Sequence, residues 1–191
     1  MWSLFVMTLT ATAGIADEPF HCETLERLPH APALQAYDVP GPRVDGKGVR
    51  DAYNGAWPNE FRSQNFIVKW GNKISFSSSQ IEDLSNAFEY SWSKQIEKYG
   101  HDAPDGTSQY LFNIYIGNSG NGAPSIGSAS GYYNRDKDGW PMIVMAPKTF
   151  DNPAHLQKVV AHEWYHALQD QTDRFAYKGL GAWFWEASAN W

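Results

Sequence analysis

His162-Glu163-Trp164-Tyr165-His166 sets two imidazoles four residues apart, with a carboxylate beside the first. On a helix, residues at this spacing lie one above the other on a single face. Both rings can then meet one metal ion at about 2.0–2.1 Å with little backbone strain. Glu163 is next round the helix from His162 and can reach a water on that ion without being a ligand. A zinc-bound water has its pKa lowered toward about 7, and Glu163 can take its proton. In a 191-residue chain with 6 histidines the pattern arises by chance about once in a hundred such chains. The bland alternative is a pair of satisfied core histidines. Val159-Val-Ala161 and Ala167-Leu168 flank the motif, so its helix reads as largely buried.

A catalytic zinc site needs a third protein ligand and one open position. Downstream, Asp170, Asp173 and Glu186 qualify by type. Asp170 is four residues further along the same helix, which would string three ligands in a line and not suit a tetrahedron. Asp173 lies near the helix end. Glu186 falls on a separate predicted helix after the turn signal Gly179-Leu-Gly181. It sits in an apolar run, between Trp183-Phe-Trp185 and Ala187-Ser-Ala189, where a charge is expensive to bury unless paired or metal-bound.

H-E-x-x-H followed by 19 residues and then Glu resembles the gluzincin branch of zinc metallopeptidases. Trp183-x-x-Glu186-Ala-Ser-Ala189 resembles the W-x-x-E-(G/A)-x-A that carries the third ligand in several of these families. Ala161 to Gln169 and Glu186 to Trp191 are similar to the helices of poorly characterised secreted metalloproteases. The likeness covers about 125 residues in element order but only about 15 in specific motif.

The resemblance implies roles for individual residues. His162 and His166 would bind zinc, and Glu186 would be the third ligand. Glu163 would be general base and then acid toward the leaving amine. Asn190 would hold a ligating histidine by its ring N–H. Tyr177 is the best-placed oxyanion donor, with Tyr165 as the other choice and an aromatic core role as the alternative for each. The strand at 141–146 would lie along the cleft and pair with an extended substrate backbone. Relatives of this kind continue into a second subdomain, so the sequence reads as truncated at its C-terminus.

The elements that must position these residues are legible in outline. Asn65–Trp70 is a strand by its β-branched and aromatic content. Ser79-Gln-Ile-Glu82 reads as a capping box. It is followed by Ile81, Leu84, Phe88, Trp92, Ile96 and Tyr99 at helical spacing, with Gly100 as the stop. That stripe reads as core and not as a ligand box. Tyr110–Ile116 is a second strand in which polar and apolar residues do not alternate cleanly, which implies that both faces are covered. Gly117–Asp138 reads as a long loop and Pro141–Ala146 as a third strand. Asn152-Pro153 is an N-cap with proline in the first turn of the motif helix, which runs to about Asp170. The expected fold class is α+β: a zincin-like N-terminal subdomain, with a small mixed sheet packed on the active-site helix.

Composition bounds the rest. Apolar residues make up 42% and charged residues 19%, which excludes a disordered or coiled-coil chain. A net charge of −6 with no basic run argues against nucleic acid as a partner, and no apolar run is long enough to span a membrane. Trp2–Ala11, followed by the A-x-A site Ala11-Thr-Ala13 or by Gly14-Ile-Ala16, resembles a secretory signal, although no Lys or Arg precedes it. The expected organisation is a signal peptide at 1–16, an extended lead-in or pro-segment at 17–60, and a zincin-like domain at 61–191. A wrapped N-terminal arm is the alternative for the lead-in. The lone Cys22 excludes an internal disulfide and any zinc site built from two cysteines of this chain. It reads as an unpaired thiol or as a thiolate capping the metal in a latent form. Asn134-x-Asp136-x-Asp138-Gly139 resembles the start of a calcium loop, with a plain turn between two strands as the rival reading.

The sequence therefore points to a secreted or periplasmic zinc metallopeptidase acting on polypeptides. Two alternatives are a non-catalytic zinc-containing domain that binds a partner through exposed aromatics, and a zinc hydrolase of a non-peptide substrate.

Overall fold

A computed structural model describes residues 47–50, 57–172 and 182–190. Strand β1 (Asn59–Arg62) pairs antiparallel with β2 (Phe66–Trp70). Helix α1 (Ser78–Trp92) continues into a π-helical segment, Ser93–Lys98. Then come β3 (Phe112–Ile116), β4 (Gly131–Arg135) and β5 (Pro141–Met145). A short 3₁₀ turn, Pro147–Asp151, leads into α2 (Pro153–Gln171), and α3 spans Ala182–Ala189. The five strands form one mixed sheet in the order β1-β2-β3-β5-β4. The three inner strands are parallel, and the two outer ones run antiparallel to their neighbours.

The period-2 alternation of the strands sorts their side chains between two layers. Phe66, Val68, Phe112, Ile114, Ile116, Tyr133, Ile143 and Met145 face the helices. There they meet Ile81, Leu84, Phe88 and Trp92 of α1 and Leu156, Val159, Val160, Trp164, Ala167 and Leu168 of α2. The opposite face carries Tyr115, Met142 and Val144 under Ile126, Ala129, Ala146 and Trp57. Both faces are thus covered, and β3 and β5 are buried throughout. Trp164 anchors the motif helix. Its ring lies 5.1 Å from Phe66, 5.2 Å from Phe112 and 5.7 Å from Trp92, between centroids.

The structure departs from the sequence reading at several points. The capping box lies two residues earlier than Ser79. Gln80 N donates to Ser77 Oγ at 3.2 Å, and Ser77 N donates to Gln80 Oε1 at 3.0 Å. The stripe of α1 is core as far as Trp92, but Tyr99 is 65% exposed. The π-helical turn after Trp92 breaks the 3.6-residue period on which Ile96 and Tyr99 were counted. Gly100 does end the helix, at φ +73°. The segment Gly117–Asp138 contains β4, whose short pattern of two tyrosines is masked by surrounding Gly, Asn and Ser. Because β5 is paired on both sides, by β3 and β4, it is not an edge strand; among the described residues the edges are β1 and β4, and β4 is the one packed beside α2.

Residues 47–50 and β1 belong sterically to the sheet, although the sequence boundary falls at 61. Gly48 bridges Tyr110, and Lys47 Nζ donates to Asn65 Oδ1 at 2.6 Å while lying over the Trp92 ring. Asn113 Nδ2 donates to the Arg50 carbonyl at 2.5 Å. The proposed signal peptide and Cys22 lie outside the described residues. No helix among the described residues is long and apolar enough to cross a membrane.

Candidate metal centre

Helix α2 starts where the sequence places it. Asn152 Oδ1 accepts from Ala154 N at 3.0 Å and from His155 N at 3.2 Å, and Pro153 occupies the first helical position. Nineteen helical residues then carry His162, Glu163 and His166 to one end of the sheet, where all three are buried. Helix α3 lies against α2 and brings Glu186 to the histidine pair. His162 Nε2 and His166 Nε2 are 2.9 Å apart. Glu186 Oε2 is 3.2 Å from the first and 3.7 Å from the second. Among the described residues, this is the group of three whose ligand atoms converge.

The hydrogen bonds behind these atoms decide which nitrogen carries the proton. Gln169 Nε2 donates to the Trp185 carbonyl at 2.9 Å and to Ser188 Oγ at 2.7 Å. A carbonyl only accepts, so the Gln169 amide is fixed with Oε1 toward His166 Nδ1, at 2.7 Å. His166 must therefore donate from Nδ1. Asn190 repeats the logic. Its Nδ2 donates to the Glu186 carbonyl at 3.0 Å, which leaves Oδ1 3.2 Å from His162 Nδ1. Each neutral ring then directs the Nε2 lone pair at the other ring and at Glu186.

Three acceptors at these distances repel one another unless positive charge lies between them. Burial acts to raise the Glu186 pKa, but with the rings protonated, hydrogen bonds and charge from His162 and His166 outweigh it and hold the carboxyl down at about 2. Glu186 Oε1 is itself buried and accepts no hydrogen bond. Either protonated imidazolium or a cation satisfies such a set. Two imidazole nitrogens and one carboxylate, each histidine oriented through its other nitrogen, form a set that could hold a divalent metal ion.

The Glu163 side chain lies against β4. A Cβ built on Gly131 would lie 2.9 Å from Glu163 Cγ, 3.2 Å from Glu163 Oε1 and 3.0 Å from Val159 Cγ1. Gly131 thus lets the open strand pass directly over the carboxylate. Further along, Asp170 ties β4 to the end of α2. It accepts from Tyr133 Oη at 2.5 Å and from Arg135 Nε at 2.7 Å. Asp170 is therefore part of the strand's anchorage and not of the ligand cluster, as the linear spacing indicated.

The remaining sequence candidates divide clearly. Tyr165 sits beside the end of α1, edge-on to His101 at 6.0 Å, and packs at the margin of the core. Tyr177 and Asp173 lie outside the described residues. Of the Asn134–Gly139 segment, Asn134 and Arg135 end β4 and residues 136–139 turn the chain into β5. Asp136 Oδ1 accepts from Asp138 N and Trp140 N, both at 2.9 Å, and Gly139 has φ +84°. The sequence reading anticipated the contact of Asn190 but gave no role to Gln169, Trp185 or Gly131. Gln169 was recoverable, because it lies three residues past His166 and so shares its face. The His166 and Trp185 rings stack at 4.9 Å and 5°.

Fold and site together define a mixed α+β domain in which two buried histidines and a half-buried glutamate could hold a metal. The chain belongs to DUF6055, a family of unknown function, whose pattern it matches over residues 44–191. A search of curated proteins finds no match.

Proposed function

We propose that this chain is a zinc-dependent peptidase, with His162, His166 and Glu186 as ligands and Glu163 as general base. The observation that carries the proposal is the convergence of three lone-pair donors whose histidine tautomers are both set from behind. Zinc bound there would polarise a carbonyl and activate water as a nucleophile. Glu163 would take the proton of the attacking water on a carboxylate oxygen and deliver it to the departing amide nitrogen. The open edge of β4, beside Glu163 at Gly131, offers backbone groups to an extended polypeptide. A sheet of this order, with an antiparallel edge strand next to the motif helix, is what a zincin-like subdomain requires. The N-terminal pattern supports export from the cytoplasm, to the medium or the periplasm.

The test is cleavage of an unfolded polypeptide and of a panel of esters, amides and glycosides, with Glu163→Gln as the control. The expected result is peptide products from the wild type, none from Glu163→Gln, and equal zinc in both. Cleavage of only a non-peptide substrate would move the chain to another class of zinc hydrolase. Undiminished peptide cleavage by Glu163→Gln would reject the mechanism.

A further inference from the structure

We infer that Gln169 is the positioning residue of the centre: one amide sets the His166 tautomer and also holds the helix that carries Glu186. The inference rests on the metal reading above and adds what regulates the strength of that site. Helix α3 is eight residues long, too short to be stable in isolation. Its side chains reach α2 at the ligand-bearing face. Trp185 stacks on His166, Glu186 meets both Nε2 atoms, and Asn190 meets His162 Nδ1. Gln169 joins the two helices from the other side. Its Oε1 engages His166, and its Nε2 engages the Trp185 carbonyl and Ser188 Oγ within α3. Gln169 is 2% exposed and His166 is fully buried, so water cannot replace these bonds.

One consequence is coupling. The three converging acceptors resist the approach of α3 to α2 until a cation lies between them. Gln169 favours that approach and aligns the ring that receives the cation. Metal affinity and the attachment of α3 therefore rise and fall together, and Gln169 transmits between them.

The experiment uses the full chain and two variants. Zinc affinity is measured by competition with a chromophoric chelator. Backbone hydrogen exchange over residues 182–190 is measured with and without zinc. In the wild type, zinc should slow exchange in α3 at least about tenfold, while the core of α2 changes little. Gln169→Ala should bind zinc about 10–100-fold more weakly and leave α3 fast-exchanging even at saturation. Gln169→Glu keeps an oxygen for His166 Nδ1–H but no donor for the Trp185 carbonyl. It should hold zinc within about threefold of the wild type and still exchange faster in α3. A residue that merely helped folding would not give this split. Wild-type zinc affinity in Gln169→Ala, or α3 exchange indifferent to zinc in the wild type, would overturn the inference and leave the metal reading standing. Failure of the wild-type chain to bind any divalent ion would remove both.

Discussion

Gly131→Ala measures how closely β4 is fitted to Glu163, the proposed general base. The added methyl would lie 2.9 Å from Glu163 Cγ, 3.2 Å from Glu163 Oε1 and 3.0 Å from Val159 Cγ1. Ordinary carbon contacts begin near about 3.5 Å, so all three neighbours are overrun. None can yield cheaply, because Glu163 and Val159 are both fully buried and β4 is tied to α2 through Asp170. Overpacking of this kind costs about 1–3 kcal/mol. Two of the three close contacts belong to Glu163, so Glu163→Ala removes them and leaves room that the new methyl partly fills. In that background Gly131→Ala should cost at least about 1 kcal/mol less, a coupling well beyond the roughly 0.3–0.5 kcal/mol scatter of independent sites. The assay is urea unfolding of the four chains of the cycle in the presence of chelator, so that metal linkage does not enter. Additive costs within that scatter would show that Glu163 does not lie against Gly131 and would refute the reasoning. Under the proposed mechanism the displaced carboxylate should also lower peptide turnover by about a hundredfold with zinc content unchanged, since a misplacement near 1 Å has that effect.

Three further outcomes follow from the same geometry. Asp170→Ala leaves Arg135, only 15% exposed, without its shorter carboxylate partner, and should lower stability by about 3 kcal/mol in urea unfolding; a loss under about 1 kcal/mol would mean that Asp105 alone suffices. Burial raises the Asp136 pKa above 3.8 despite two backbone N–H bonds, so the folded chain holds this proton more tightly than the unfolded one. Its contribution to stability therefore falls as pH rises from about 3.8 through the raised value, and the Tm of Asp136→Asn should gain on wild type over that window; parallel Tm curves would contradict the burial argument. Zinc affinity should weaken in acid, because protons compete with the metal for its ligand atoms; competition titrations at several pH values would show a flat profile if those side chains were not ligands.

How much of this was legible in the sequence differs from part to part. The ligand spacing on α2 was fully legible, because the position of a helix sets the geometry of residues four apart. The covered strands β2, β3 and β5 were legible too, since runs of Phe, Ile, Val and Met leave little choice. Glu186 emerged from the mismatch between one carboxylate and its apolar surroundings. Strand β4 escaped because five residues, Gly131-Tyr-Tyr-Asn-Arg135, show no alternation that local propensity could detect; its pairing with β5 is a tertiary fact. The consequence was to assign the open edge to the wrong strand. Tyr99 was misassigned to the core because the π-helical segment breaks the 3.6-residue period; Ile96 still packs at the margin of the core, but Tyr99 is carried into solvent. The double engagement of Gln169 depends on where α3 docks, and no spacing rule within one helix reports that. Asn190 was found because its distance from Glu186 is again one helical turn.

The central claim is that His162, His166 and Glu186 hold one zinc ion. Metal analysis of the purified chain by mass spectrometry, beside His162→Ala and Glu163→Gln, tests it most directly. One zinc per chain in the wild type and in Glu163→Gln, and none in His162→Ala, is the predicted result. A folded wild-type chain that takes up no zinc, or a His162→Ala chain that retains it, would contradict the account.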